Sequence, residues 1–124
     1  MNAPVRYPLT VFYDASCPVC RTETHALRGR DRQRRLELVD CSSADFDDSV
    51  LAGIGVTRGD LMDRIHARDA HGRWLVGIDA LAAAYAAAGV KPIARFLGER
   101  RLRPLLTRIY SWFARNRRHL SRLA

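Results

Sequence analysis

Two cysteines in a Cys-x-x-Cys pair, Cys17 and Cys20, follow directly on the apolar run Leu9–Tyr13 and precede a stretch able to form a helix. That order places two thiols at a strand-to-helix turn. The free N–H groups and dipole of a helix N-terminus favour thiolate over thiol. A pair at this spacing can also close a small disulfide and reopen it. The predicted chemistry is thiol–disulfide exchange. Cys17, at or near the N-cap, is the expected nucleophile with a depressed pKa. Cys20, one turn inside and expected to be the more buried, would resolve the mixed disulfide. Asp14, three residues ahead of Cys17, could accept or relay a proton, or cap the turn through backbone bonds. Pro18 stiffens the turn and suits a first helical position, where its missing N–H costs nothing.

Two other readings compete. A zinc site would need two further ligands, which only Cys41 with His25, His66 or His71 could supply. A simple packing pair is the other, and the strand–turn–proline–helix context argues against it. Cys41 follows the second predicted strand. If the first two strands are parallel neighbours, it shares the sheet edge of Cys17, as a second resolving thiol or, preferred, a buried idle one. No metal and no cofactor is expected.

The elements that must position this pair are readable along the chain. Leu9–Tyr13 is a buried strand by its β-branched and aromatic content. Helix is predicted over 18–28, with Val19, Thr22, Ala26 and Leu27 on one face. Leu36–Asp40 is a second strand. Ser43 or Asp45 is expected to cap a short helix over 46–52. Residues 61–69 read as a strand, turning at Ala70-His71-Gly72-Arg73 into a return strand, Trp74–Val76. An Ala-rich helix spans 80–88 and ends at Gly89. A short helix and basic turn cover 93–103, and Pro104 opens a last helix over 105–123. The order β-α-β-α-β-β-α describes an α/β, thioredoxin-like three-layer sandwich with a central four-stranded mixed sheet and additional C-terminal helices.

Length and composition agree with one domain: 124 residues, 48% hydrophobic, suffice for a real core. The expected division is a core over 1–93 and a basic amphipathic helical extension over 94–124 packed on it. The net charge of +8 sits entirely in that extension, because acids and bases balance over 1–93. Its last helix carries Leu105, Leu106, Ile109, Tyr110, Trp112, Phe113 and Leu120 at helical spacing among arginines. The preferred reading packs the stripe on the core and leaves Arg117, Arg118 and Arg122 solvated. Contact with a membrane surface comes next, and nucleic acid is disfavoured. The longest uncharged run, 81–90, is far short of a membrane span. No export leader is read at the N-terminus, so the expected location is cytoplasmic, where a Cys-x-x-Cys pair is more often catalytic or metal-binding than structural. His71 is expected to be exposed in its turn, and His119 shows no metal spacing. Gly77-Ile78-Asp79 reads as a ligand-binding helix start or a cap by Asp79.

Asp14, Cys17 and Cys20 form an Asp-x-x-Cys-x-x-Cys motif, and here the chain resembles the DCC family of thiol–disulfide oxidoreductases, named after it. Leu38-Val39-Asp40, Asp69-Ala70-His71-Gly72 with Gly77-Ile78-Asp79-Ala80, and Asn116-Arg117-Arg118 are similar to later family stretches. The resemblance implies a thioredoxin-like fold and a redox role for the two cysteines; the expected substrate is a protein or low-molecular-weight thiol or disulfide. Ala15 stands where the family usually has Gly, which would suit a positive-φ position better. No proline lies between Pro18 and Pro92. The cis-proline that thioredoxins place before the third strand is thus replaced, and the docking backbone is expected near 58–62. The alternative to an enzyme is a non-catalytic adaptor that binds a membrane surface or an acidic partner through its basic helix.

Overall fold

The computed structural model describes residues 5–123, apart from the side chains of Val19 and of residues 117–123. The chain runs β1 (Leu9–Tyr13), α1 (Pro18–Arg30), β2 (Leu36–Asp40), α2 (Arg58–Asp63), β3 (His66–Arg68), β4 (Trp74–Val76), α3 (Ile78–Ala87), α4 (Lys91–Leu97) and α5 (Arg103–Leu123). Short 3-10 turns occupy Asp48–Leu51 and Arg100–Leu102. The sheet order is β2-β1-β3-β4. β1 and β2 are parallel, in the register Leu9↔Leu36 to Tyr13↔Asp40, and β3 is antiparallel to both β1 and β4. This is the mixed four-stranded thioredoxin-like arrangement.

Strand alternation divides the core in two. Leu9, Val11 and Ala67 face Leu27 of α1 and Ala80, Ala84 and Ala87 of α3. Phe12 faces the other way, against Cys41, Leu51 and Leu61, with Trp74 stacked on its ring at 5.2 Å. Small alanines on α3 let that helix lie close on the sheet.

Several local expectations are corrected. On α1, Thr22 and Ala26 are exposed, and the buried positions are Thr24 and Leu27. Thr24 tolerates burial because its hydroxyl donates to the Cys20 carbonyl at 2.6 Å. The side chain of Val19 lies outside the described residues. The predicted strand over 61–69 begins only at His66. The preceding residues form α2, opened by a capping box in which Thr57 and Asp60 satisfy each other's backbone N–H. The helix predicted over 46–52 is the 3-10 turn, capped by Asp47 rather than Ser43 or Asp45. Asp79 does not cap α3. Gly77 is the N-cap, at φ 65° and ψ −128°, a conformation open only to glycine. The Asp79 carboxylate instead accepts two hydrogen bonds from Arg103, at 2.9 and 2.7 Å, tying α3 to α5 at the surface. An exposed pair of this kind contributes at most about 1 kcal/mol.

Candidate functional site

β1 ends at Tyr13, and the next four residues turn the chain into α1. Asp14 is buried, and its carboxylate accepts from the backbone N–H of Ser16 at 2.9 Å and from the Ser16 hydroxyl. The Cys17 N–H donates to the Asp14 carbonyl at 3.2 Å, closing the turn. These bonds are those of the turn-capping role expected of Asp14. Asp40, at the end of the adjacent strand, braces the same turn from the side. It accepts from Ala15 N–H at 3.0 Å and from the N–H and hydroxyl of Ser42 at 2.9 and 2.6 Å. Partial burial pushes the Asp40 carboxyl up, but the bonds from Ser42 and Ala15 outweigh it and hold it below the ordinary value. Ala15 needs no left-handed backbone: among the described non-glycine residues only Arg34 has a positive φ. Alanine therefore fits where glycine is usual.

Cys17 is the N-cap of α1 and Pro18 its first residue, as the sequence predicts. The Cys17 carbonyl accepts the first-turn bond from Arg21 N–H at 2.9 Å. An N-cap side chain lies beside the unpaired first-turn amides, where negative charge is favoured. The expected order of burial is reversed. Cys17 is 5% exposed, whereas Cys20 is half-buried and lines a cavity. The reason is α5, which is held off α1 by a gap that Cys20 faces.

Cys41 does share the sheet edge, its N–H bonded to the Tyr13 carbonyl at 2.8 Å, but it is fully buried. Burial, with the neighbouring Asp40 charge, pushes its thiol up to about 12, so it carries almost no thiolate near neutral pH. Among the described residues no cluster of three or more His, Cys, Asp or Glu side chains is arranged as a metal site. His25 and His71 are exposed, and His66 is buried with Nδ1 2.9 Å from the Arg64 carbonyl. The side chains of His119, Arg117, Arg118, Leu120 and Arg122 lie outside the described residues. Asn116 is turned back on its own helix, donating to the Trp112 carbonyl at 2.7 Å.

The backbone opposite the dithiol is built differently from expectation. Residues 58–62 lie in α2, where the Asp60 and Leu61 N–H groups are taken by the Thr57 hydroxyl and carbonyl. Among the described residues the one cis peptide bond is Tyr7–Pro8, at the start of β1. The segment entering β3 is Arg64-Ile65. There the Ile65 N–H donates to the Tyr110 hydroxyl at 2.8 Å, and the Ile65 carbonyl accepts from Gly77 N–H at 2.9 Å. A side chain from α5 thus occupies the backbone position at the head of the strand. Burial raises the Tyr110 pKa, the Ile65 N–H opposes this, and nearby Cys20 adds to the rise. The phenol stays neutral beside the dithiol. Gly77 backs the Tyr110 ring: a Cβ there would lie 3.6 Å from Cε1.

Sequence reasoning missed Tyr110 and Asp40 as site residues. Tyr110 is hidden in the apolar stripe of α5. Asp40 carried a usable signal, since Asp-x-Ser after a strand is an Asx-turn pattern.

A Cys-x-x-Cys pair at the N-terminus of the first helix, on a four-stranded mixed sheet, is a thioredoxin-like arrangement. The relation is narrower than that. Residues 11–123 match the DCC1-like thiol-disulfide oxidoreductase family, and the chain belongs to it. No curated protein and no solved structure matches the chain.

Proposed function

We propose that the protein exchanges disulfides through Cys17 and Cys20. The observation that carries this is Cys17 at the N-cap of α1, with Pro18 next and Cys20 on the following turn. In the proposed cycle the Cys17 thiolate attacks a substrate disulfide and one substrate thiol leaves. Cys20 then attacks the Cys17 sulfur, releasing the second thiol and leaving a 17–20 disulfide. Asp14 and Asp40 act as positioning residues that fix the turn. A reducing compartment such as the cytoplasm would return the pair to the dithiol.

Iodoacetamide alkylation followed as a function of pH, with the labelled peptide identified, tests the activation of Cys17. Cys17 is expected to react with a midpoint clearly below the ordinary cysteine value of about 8.5. An ordinary titration would contradict the proposal. Cys41 should stay unlabelled in the folded protein at neutral pH.

A second reading, compatible with the first, concerns α5. Leu105, Ile109 and Trp112 form an outward row, each more than half exposed, and Ile93 and Phe96 of α4 are also exposed. Arg95, Arg100, Arg101, Arg108 and Arg115 are exposed in the same region. An apolar row flanked by arginines suits an anionic bilayer surface. No described helix is long and apolar enough to cross a membrane. The protein is expected to co-sediment with phosphatidylglycerol vesicles and to be released by salt. Trp112→Ser should weaken the association about tenfold. Failure to sediment at low salt would remove this reading.

A further inference from the structure

The gap between α5 and the dithiol turn is a cavity of about 320 Å³, near the lower end of ligand sites, which span about 300–1,000 Å³. Cys20 lines it together with Leu27, Met62, Ile65, Tyr110 and Phe113. Asp14 also lines it, whereas Cys17, 5% exposed, does not, so a substrate sulfur has to reach Cys17 from the end of the space that Asp14 and Cys20 border. We infer that this cavity is the substrate site and that its substrate is a small, uncharged alkyl disulfide. The inference rests on the exchange reading above and specifies the substrate class for it.

Three observations converge on that class. The walls are mainly aliphatic and aromatic, which rewards apolar surface. The charged groups at the cavity are three carboxylates, Asp14, Glu23 and Asp63, against one guanidinium, Arg64. Glu23 is fixed in place by the Tyr85 hydroxyl at 2.9 Å. At the cavity walls that local balance disfavours the carboxylates of glutathione disulfide, against the positive field of the exposed α5 arginines farther out. Finally, the Ile65 N–H and carbonyl at the head of β3 are already bonded to Tyr110 and Gly77. An extended peptide has no backbone to pair with there, whereas a small molecule needs none.

The chemistry balances without a further reagent in a single turnover. The Cys17 thiolate attacks one substrate sulfur, the S–S bond breaks, and one alkyl thiolate departs and is protonated by solvent. The Cys20 thiolate attacks the Cys17 sulfur and displaces the second alkyl thiolate. The substrate gains two electrons and becomes two thiols; the protein loses two and becomes the 17–20 disulfide.

The test follows single-turnover oxidation of the reduced protein by three probes. Dipropyl disulfide and bis(2-hydroxyethyl) disulfide have the same number of non-hydrogen atoms and differ in their ends; glutathione disulfide is anionic. Each rate is divided by that of free dithiothreitol with the same probe, which removes intrinsic reactivity. Dipropyl disulfide is expected to lead the hydroxyethyl probe by about tenfold and glutathione disulfide by more. Ala114→Phe, which fills the cavity from α5, should collapse that preference. Should this variant not fold, Asp63→Lys at the exposed rim should raise the glutathione disulfide rate several-fold. Equal normalised rates for the three probes, or a lead for glutathione disulfide, would overturn the assignment and leave the exchange reading standing. If none of the probes closes the 17–20 disulfide while dithiothreitol reduces all three, the exchange reading fails and the inference with it.

Discussion

Replacing Cys17 by serine is expected to lower the rate of disulfide exchange by at least about a thousandfold. A hydroxyl at the N-cap keeps the helix start intact, and serine is among the preferred residues there. Fold and melting temperature should therefore change little, and the loss reads on chemistry alone. Cys20→Ser is expected to behave differently: the first attack proceeds, resolution fails, and a stable mixed disulfide on Cys17 accumulates, visible as added mass. Cys41→Ala should leave exchange within about twofold, because that thiol is buried and held at about 12. Exchange that survives in Cys17→Ser and disappears in Cys41→Ala would reassign the reactive pair. Measuring the three variants side by side, each with its thermal melt, separates chemistry from folding.

Asp69→Ala is expected to be the most damaging single change to stability outside the apolar core. Asp69 is buried in the β3–β4 turn. Its carboxylate accepts from the His71 and Arg73 N–H groups, both at 2.9 Å, and from Arg73 Nε at 3.0 Å. The Arg6 N–H reaches it from the N-terminal segment at 3.5 Å. Alanine would leave those backbone donors without an acceptor. β3 would loosen at the end away from the dithiol, and the melting temperature should fall by about 5–10 °C. The same group sets a pH dependence. Burial alone would raise the Asp69 pKa, but the bonds from Arg73, Arg6 and His71 outweigh it and hold it at about 2, below the ordinary 3.8. A carboxyl depressed in the folded state binds fewer protons than its unfolded counterpart over that interval. Its contribution is therefore complete above the ordinary value and is lost as the pH falls through 3.8 toward 2. Melts of the wild type and Asp69→Asn should converge on acidification over this window. An unchanged melting temperature for Asp69→Ala at neutral pH would contradict the account.

The elements whose signals are local were the ones legible in the sequence. LTVFY has the composition of a central strand, and Pro18 after Cys17 marks a first helical turn, so β1, α1 and the N-cap cysteine follow directly. The parallel β1–β2 pairing follows from the helix between them. What was hidden depends on tertiary partners. Thr24 is inside and Thr22 outside because the Thr24 hydroxyl finds the Cys20 carbonyl, a choice hydropathy does not encode. The strand predicted over 61–69 was cut short by α2, whose capping box, Thr57 with Asp60, was a readable signal. Cys20 is more accessible than Cys17 because α5, distant in sequence, leaves a cavity beside it. Tyr110 looks like any aromatic on an apolar stripe until the Ile65 N–H is seen beneath its hydroxyl.

The central claim is that Cys17 and Cys20 form a reversible redox couple. Equilibration of the protein in glutathione buffers of graded ratio, with acid quench and mass mapping of the disulfide, tests it most directly. The account predicts one cooperative two-electron transition, assigned to a 17–20 disulfide, within the span of known exchange proteins, about −120 to −270 mV. The account is contradicted if no 17–20 disulfide forms at any ratio, or if oxidation joins either cysteine to Cys41 instead.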